Sequence, residues 1–195
     1  MKTIAIKGAD NIGKSTTAKI IALLLLKYSN HEIHLMFRNF NEHHIFYLIH
    51  GQDSYIIKSF SDEVNKLYYN ITGLQYKYLA REIKEKHRDN FIKLSESIKD
   101  VFGKNIFVNK TLNDKTINTE VMVIDDLRFK IEYDGISESE NDYLIIELIG
   151  KDNSNIKPHY ELNIIPHDAT LYNQGSIMEL IENVRKLLIH HNVLK

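Results

Sequence analysis

The sequence predicts an α/β fold, with a mostly parallel central sheet and helices on both faces, from three observations. Short apolar runs alternate with longer amphipathic stretches along the chain, as in successive strand–helix units. A loop bounded by glycines, Gly8 to Ser15, joins the first apolar run to the first helical stretch. The 195 residues, 43% of them hydrophobic, are enough for one domain with a sizeable core. Residues 1–195 are therefore expected to form a single domain, with a helical substrate-binding or lid insertion over roughly residues 40–118.

Thr3-Ile4-Ala5-Ile6 is a short apolar run that suits a buried strand. Ser15 to Tyr28 follows as a helix, because Ala18, Ile21, Ala22, Leu25 and Leu26 recur at helical spacing. After a loop over Tyr28 to Glu32, Ile33-His34-Leu35-Met36-Phe37 reads as a second strand. Glu42 to Leu48 and Asp62 to Ile71 are helical stretches. Leu74 to Phe102 is long and charged, and is predicted to be one or two helices broken near His87 to Asn90. Asn105 to Leu112 is a further helix. Val121-Met122-Val123-Ile124 is a buried strand ending at Asp125-Asp126, and Tyr143 to Leu148 is another. Tyr160 to Ile165 is read as extended or loop. Ala169 to Tyr172 is the last strand, and Ser176 to His191 the last helix, with Glu179 at capping-box spacing from Ser176.

The balance of charge narrows the functional classes. A formal net charge of -1 gives no general adhesion to nucleic acid or to an anionic membrane. With no cysteine, disulfides and thiolate chemistry are excluded. No apolar run approaches the length of a membrane span. The sequence enters its first strand at once, with no room for a signal peptide, so the expected location is the cytoplasm. The histidines include the adjacent pairs His43-His44 and His190-His191, whose side chains diverge on a helix instead of converging on a metal. Tyr68, Tyr69, Tyr76 and Tyr78 are expected to cover a core more than to stack on a base.

Gly8-Ala9-Asp10-Asn11-Ile12-Gly13-Lys14-Ser15 is a complete GxxxxGK[ST] motif between a strand and a helix. Glycines let the backbone curl and approach a ligand closely. Successive N–H groups then face inward at the positive end of the following helix, which is a cradle for phosphate. Gly8, Asp10, Asn11, Ile12, Gly13, Lys14, Ser15 and Thr16 are therefore the candidate nucleotide-binding residues. Lys14 is expected to reach the β- and γ-phosphates of a nucleoside triphosphate, with the Ser15 hydroxyl as a ligand of Mg²⁺. Asp125 and Asp126, at the end of an apolar run, form a Walker-B-like pattern that delivers a carboxylate beside the nucleotide. Asp125 is the second candidate metal ligand.

Ile124-Asp125-Asp126-Leu127-Arg128-Phe129-Lys130-Ile131-Glu132 resembles the "D-V-R-F-x-N-E" segment of phage-type deoxynucleoside monophosphate kinases. Arg88 to Val108 resembles the family stretch that opens on an arginine and closes on an Ile-Trp-Val-like sequence. Leu171-Tyr172-Asn173-Gln174-Gly175-Ser176-Ile177-Met178-Glu179-Leu180 is similar to the family's "I-x-N-x-G-[ST]-L-x-E-L". Phe37-Arg38-Asn39-Phe40 follows the expected second strand, where the family has a segment in contact with substrate. These matches keep the family's order over most of the chain. They depart from it at three points: no tryptophan is present, Ile131 replaces the asparagine before Glu132, and a second arginine is replaced near Asp100, with Lys99 or Lys104 as substitutes.

The resemblance implies a P-loop kinase fold and transfer of the ATP γ-phosphoryl group, with Mg²⁺, to a deoxynucleoside 5'-monophosphate. It implies Lys14, Arg88 and Arg128 as catalytic residues. Arg38, Arg88 and Arg128 would take the acceptor phosphate, Asp126 and Glu132 its sugar or base, and Phe107 would stack on the base. A lid would come from Lys104 to Lys115 or from Lys130 to Asn141, and the sequence does not choose. The family's setting is a host cytoplasm, with no nucleic-acid or membrane partner, and a homodimer is permitted. The alternatives are a thymidylate kinase-like enzyme (whose loop Lys7 to Thr16 also resembles), another small-molecule P-loop kinase, a P-loop NTPase acting on a macromolecular partner, or a catalytically weakened nucleotide-binding protein.

Overall fold

A computed structural model of the chain describes residues 1–40, 44–45, 48–49, 55–73, 86–113, 120–139, 142–151 and 160–194. The elements run β1 (Lys2–Lys7), α1 (Lys14–Leu25), α2 (Asn30–Asn39), β2 (Tyr55–Lys58), α3 (Asp62–Thr72), α4 (Arg88–Phe102), α5 (Ile106–Leu112), β3 (Val121–Leu127), α6 (Lys130–Glu138), β4 (Asp142–Gly150), a 3-10 turn (Tyr160–Ile164), β5 (Ala169–Asn173) and α7 (Ile177–His190). The fold is α/β. Its five strands form one sheet in the order β2-β3-β1-β4-β5, and every neighbouring pair is parallel.

The alternation of side chains along β1 divides the core. Ile4 and Ile6 pack with Ile21, Leu24, Ile33, Ile181 and Val184, from α1, α2 and α7, on one face. Ala5 faces the other side with Val108, Leu127 and Ile136, where α5 and α6 lie. Helices thus cover both faces, which is why β1, β3 and β4 read as continuous apolar runs.

The expected strand at Ile33 to Phe37 is a helix, α2. Ser29 accepts from the Glu32 N–H while Glu32 accepts from the Ser29 N–H, a full capping box. Such a cap is worth about 1 kcal/mol, as much as the whole spread of strand propensities. Ile33, Met36 and Phe37, at helical spacing, then reach the α1–α7 core. The second strand is instead β2, which falls within the span 40–118 read as helical and occupies one edge of the sheet. Tyr160 to Ile164 is a 3-10 turn, not an extended segment.

Asp125 and Asp126 do not end their strand but lie inside β3. The register passes from Ala5↔Ile124 to Lys7↔Leu127, so β3 carries one extra residue at the aspartate pair. Such a bulge turns side chains out of strict alternation, and both aspartates are half-buried in succession. β1, β5 and the helices α3, α4, α5 and α7 lie where expected within one or two residues, β3 and β4 run further, α1 stops three residues before Tyr28, and α6 forms a helix where none was expected. The expected helix Glu42 to Leu48 lies only in part within the described residues. Leu74 to Ala80 and Arg81 to Glu85, with Tyr76 and Tyr78, lie outside the described residues, as do His43, Lys115 and Asn141.

Candidate active site

The Gly8–Ser15 loop leaves β1 at the C-terminal edge of the sheet and enters α1 through Gly13, whose φ of 99° is left-handed. A Cβ there would lie 2.5 Å from Asn173 Nδ2, and one on Gly8 would lie 2.6 Å from the Leu148 carbonyl oxygen. Gly8 is therefore required by space as well as by backbone, and Gly13 by its backbone angle, since the group it would meet is a side-chain amide. Asn173, at the end of β5, donates from Nδ2 to the Ile12 carbonyl at 2.8 Å and braces the loop from outside. The Ile12 side chain joins the core beneath it.

The start of α1 differs from those of α2 and α7. The latter two are closed by serine caps with a glutamate three residues on. In α1 the cap is a glycine with no side-chain hydrogen bond, and no acidic residue stands in the first turn. Its N-terminal dipole is left without an anion of its own helix. Ser15 is exposed there, Thr16 half-buried and Asn11, in the left-handed region, exposed.

Lys14 is 7% exposed, and its Nζ donates to the carbonyls of Gly8 at 2.9 Å and Ala9 at 2.6 Å. Burial, followed by the Arg128 charge, lowers its pKa to about 8, against the opposing pull of Asp10, Asp125 and Asp126. Asp10 is the centre of the cationic cluster. Arg128 lies 3.0 Å from one of its oxygens, Arg88 lies 3.1 Å from the other, and Lys14 is 4.0 Å away. These cations hold the Asp10 carboxyl below the usual range, although burial acts in the opposite direction. A loop, a helix start (Arg88, first residue of α4) and the β3–α6 turn (Arg128) thus meet at one carboxylate.

The two aspartates of β3 have different partners. Asp126 is taken up by the corner after β2: it accepts from Phe60 N–H at 2.8 Å, Ser61 N–H at 3.3 Å and Ser61 Oγ at 3.0 Å. Burial and then the neighbouring Asp125 charge raise its pKa to about 7. Asp125 accepts from Ser59 Oγ through Oδ1. Glu132 is buried and turns back on its own helix start, accepting from the N–H groups of Arg128 at 2.8 Å and Phe129 at 3.0 Å. Burial and then Asp126 raise its pKa to about 8. Both carboxyls expected to meet sugar or base are thus already engaged with backbone donors.

In comparisons with known proteins, no family model matches the chain, and no curated protein matches it.

Seven candidates converge at this edge: Asp10, Lys14, Arg88, Arg128, Asp125, Asp126 and Glu132. Two others are placed differently from what was expected. Arg38 lies in the last turn of α2, not behind a strand, and makes no hydrogen bond or ion pair with the cluster among the described residues. Phe107 is 8% exposed within α5, so little of its ring is open to stacking. Lys99 stands near the Arg128 turn, with its Nζ 5.4 Å from the centre of the Phe129 ring, whereas Lys104 is exposed.

The sequence reading omitted several supports. Lys7, 2% exposed and immediately before the loop, donates to the carbonyls of Leu162 at 3.1 Å and Ile165 at 2.7 Å and pairs with Glu147 at 3.2 Å. Glu161, in the same 3-10 turn, accepts from the Lys130 N–H at 2.7 Å, at the start of α6. A lysine closing an otherwise apolar strand was the signal for Lys7. The position of Asn173 beside a glycine turn was the signal for the loop brace. Ser59 had none.

Proposed function

We propose that this protein is an ATP-dependent kinase of deoxynucleoside 5'-monophosphates, with a P-loop kinase fold and the Gly8–Ser15 loop as its P-loop. One observation carries the reading: Lys14, Arg88 and Arg128 converge on a single carboxylate, Asp10, beside a helix start that lacks an anion of its own. Cations from three segments around one anion suit a site that binds several phosphate groups at once. The collinear resemblance to phage-type deoxynucleoside monophosphate kinases supplies the acceptor class.

In this mechanism the α1 amides and Lys14 hold the phosphates of ATP, and Arg88 and Arg128 hold the acceptor phosphate in line with them. The acceptor oxygen is already ionised near neutral pH, so no strong base is needed and catalysis is positioning with charge neutralisation. Ser15, exposed at the helix start, and Asp125 are oxygen donors of the kind that Mg²⁺ takes, so the residues fit the ion. When bound, Mg²⁺ supplies positive charge to the β- and γ-phosphate oxygens. Asp126 and Glu132 secure the corners that carry Ser59 and Arg128. Arg38 and Phe107 are not needed in this scheme.

The test is a coupled ADP-release assay with Mg-ATP against dTMP, dGMP, dCMP, dAMP and their ribose counterparts, with an acceptor-free control. Turnover that depends on a deoxy acceptor and forms the matching diphosphate is expected, with most of it lost in Lys14→Ala. Equal slow release in every well overturns the kinase reading in favour of an NTPase.

A further inference from the structure

We infer that Ser59 is a positioning residue for Asp125, directing that carboxylate's second oxygen toward a divalent cation in the phosphate site. The inference rests on the kinase reading for the presence of Mg²⁺, and on the following geometry for the role of Ser59.

β2 pairs with β3 in parallel, with Lys58 opposite Ile124. The next residue on each strand is Ser59 and Asp125, so the sheet register sets the serine beside the carboxylate. Four further hydrogen bonds fix it there. Asp62 accepts from the Ser59 N–H at 2.9 Å, and the Asp62 N–H donates to the Ser59 carbonyl at 3.1 Å, which closes a tight turn. Asp126 accepts from the next two backbone N–H groups, Phe60 and Ser61. The corner is thus bolted to the bulged aspartate pair from both sides, and the Ser59 hydroxyl donates to Asp125 Oδ1.

The two aspartates divide their work. Asp126 accepts from two backbone N–H groups and one hydroxyl, so it anchors the corner. Asp125 accepts from a single protein donor, through Oδ1, and its Oδ2 has no hydrogen-bond partner among the described residues. The aspartate pair lies in β3 opposite Ala5 to Lys7, the residues that lead into the glycine loop, and the Asp125 charge acts on Lys14, so this carboxylate stands at the loop end of the sheet. A carboxylate with one oxygen held by a fixed hydroxyl and the other unengaged is oriented for a hard cation. Partners of this kind behind a metal ligand typically change metal affinity by about 10–100-fold.

The experiment measures Mn²⁺ binding to the ADP complex by electron paramagnetic resonance, in the intact protein and in Ser59→Ala, Ser59→Thr and Asp125→Asn. ADP affinity is measured in parallel without divalent metal. Ser59→Ala is expected to weaken Mn²⁺ binding about tenfold, to leave metal-free ADP affinity unchanged, and to be rescued by Ser59→Thr. A merely structural serine would instead lower the melting temperature and metal-free ADP affinity together, with no selective loss of Mn²⁺, and that result overturns the inference. Unchanged Mn²⁺ affinity in Ser59→Ala, with a loss in Asp125→Asn, overturns the role of Ser59 and leaves the kinase reading standing. Absence of ADP binding, or no loss in Asp125→Asn, overturns the underlying reading and the role of Ser59 with it.

Discussion

Arg128 lies 3.0 Å from the Oδ1 of Asp10, and this ion pair joins the β3–α6 turn to the glycine loop. Arg88 binds the other oxygen of the same carboxylate at 3.1 Å. The loop carboxylate occupies both guanidinium groups, as a phosphate would. A phosphate chain that enters must exchange partners with it. Asp10→Asn removes one negative charge from the site, worth about 1 kcal/mol at about 4 Å where water screens the pair fully. Tripolyphosphate is therefore expected to bind the variant about three- to tenfold more tightly by calorimetry. Weaker binding would show that Asp10 organises the arginines for the ligand more than it competes with it.

Lys14 gives the site a pH dependence of definite sign. Its ligand-free pKa is lowered to about 8, chiefly by burial. Bound phosphate favours the charged amine and raises that value. On the kinase reading, nucleotide binding should therefore be accompanied by proton uptake between about pH 8 and 9, with affinity falling as pH rises through about 8. Calorimetry in two buffers of different ionisation heat checks this directly. ADP binding at pH 8.5 should take up a fraction of a proton in the native protein and none in Lys14→Met. Equal uptake in both proteins would assign the proton elsewhere.

Gly13→Ala tests the cradle. The residue sits at a φ of 99°, and the added methyl would lie 2.5 Å from Asn173 Nδ2, the group that braces Ile12. Strain and displacement of the brace should together destabilise the fold by about 1–3 kcal/mol and weaken ADP binding at least tenfold. Chemical denaturation and calorimetry report the two effects separately. Asn173→Ala removes the brace without the strain, so it should weaken ADP binding less than Gly13→Ala. An Asn173→Ala loss equal to that of Gly13→Ala would mean that the brace, not the backbone angle, carries the effect.

The sequence was legible where a local pattern decides the structure. β1, the glycine loop and α1 follow from an apolar run, two glycines and helical spacing over 12 residues. The Ser176–Glu179 box likewise announces α7. Ile33 to Phe37 misled because a five-residue stretch with four apolar residues suits either state, and the Ser29–Glu32 cap upstream decides it. β2 escaped because four residues give too little pattern to see, and its strand character comes from the β3 edge that it joins. At the site, Lys14 and Arg128 lie within readable motifs, but their meeting on Asp10 does not. The same holds for Ser59 with Asp125, 66 residues apart, and for Asn173 with Ile12, 161 apart. Such contacts arise from strand order, which a one-dimensional pattern does not state. The altered placement of Arg38, on a helix and not behind a strand, has the same origin, since it depended on the misread second strand.

Glu132 ties stability to pH. Burial and the nearby Asp126 raise its pKa from the ordinary 4.5 to about 8. Across that interval the folded protein keeps a proton that the unfolded chain has released. Stability therefore falls as pH rises through the window and is greatest below it. Asp126, raised to about 7, acts in the same direction, while Lys14 acts oppositely only above about pH 8. Glu132→Gln keeps an amide oxygen that can accept from the Arg128 and Phe129 N–H groups and removes the titration. The native protein should lose more than about 4 °C of melting temperature between pH 5.5 and 8, the equivalent of 1–2 kcal/mol in a chain of this size. Glu132→Gln should lose clearly less over the same range. Parallel slopes in the two proteins would exclude Glu132 as the titrating group and leave Asp126 as the source.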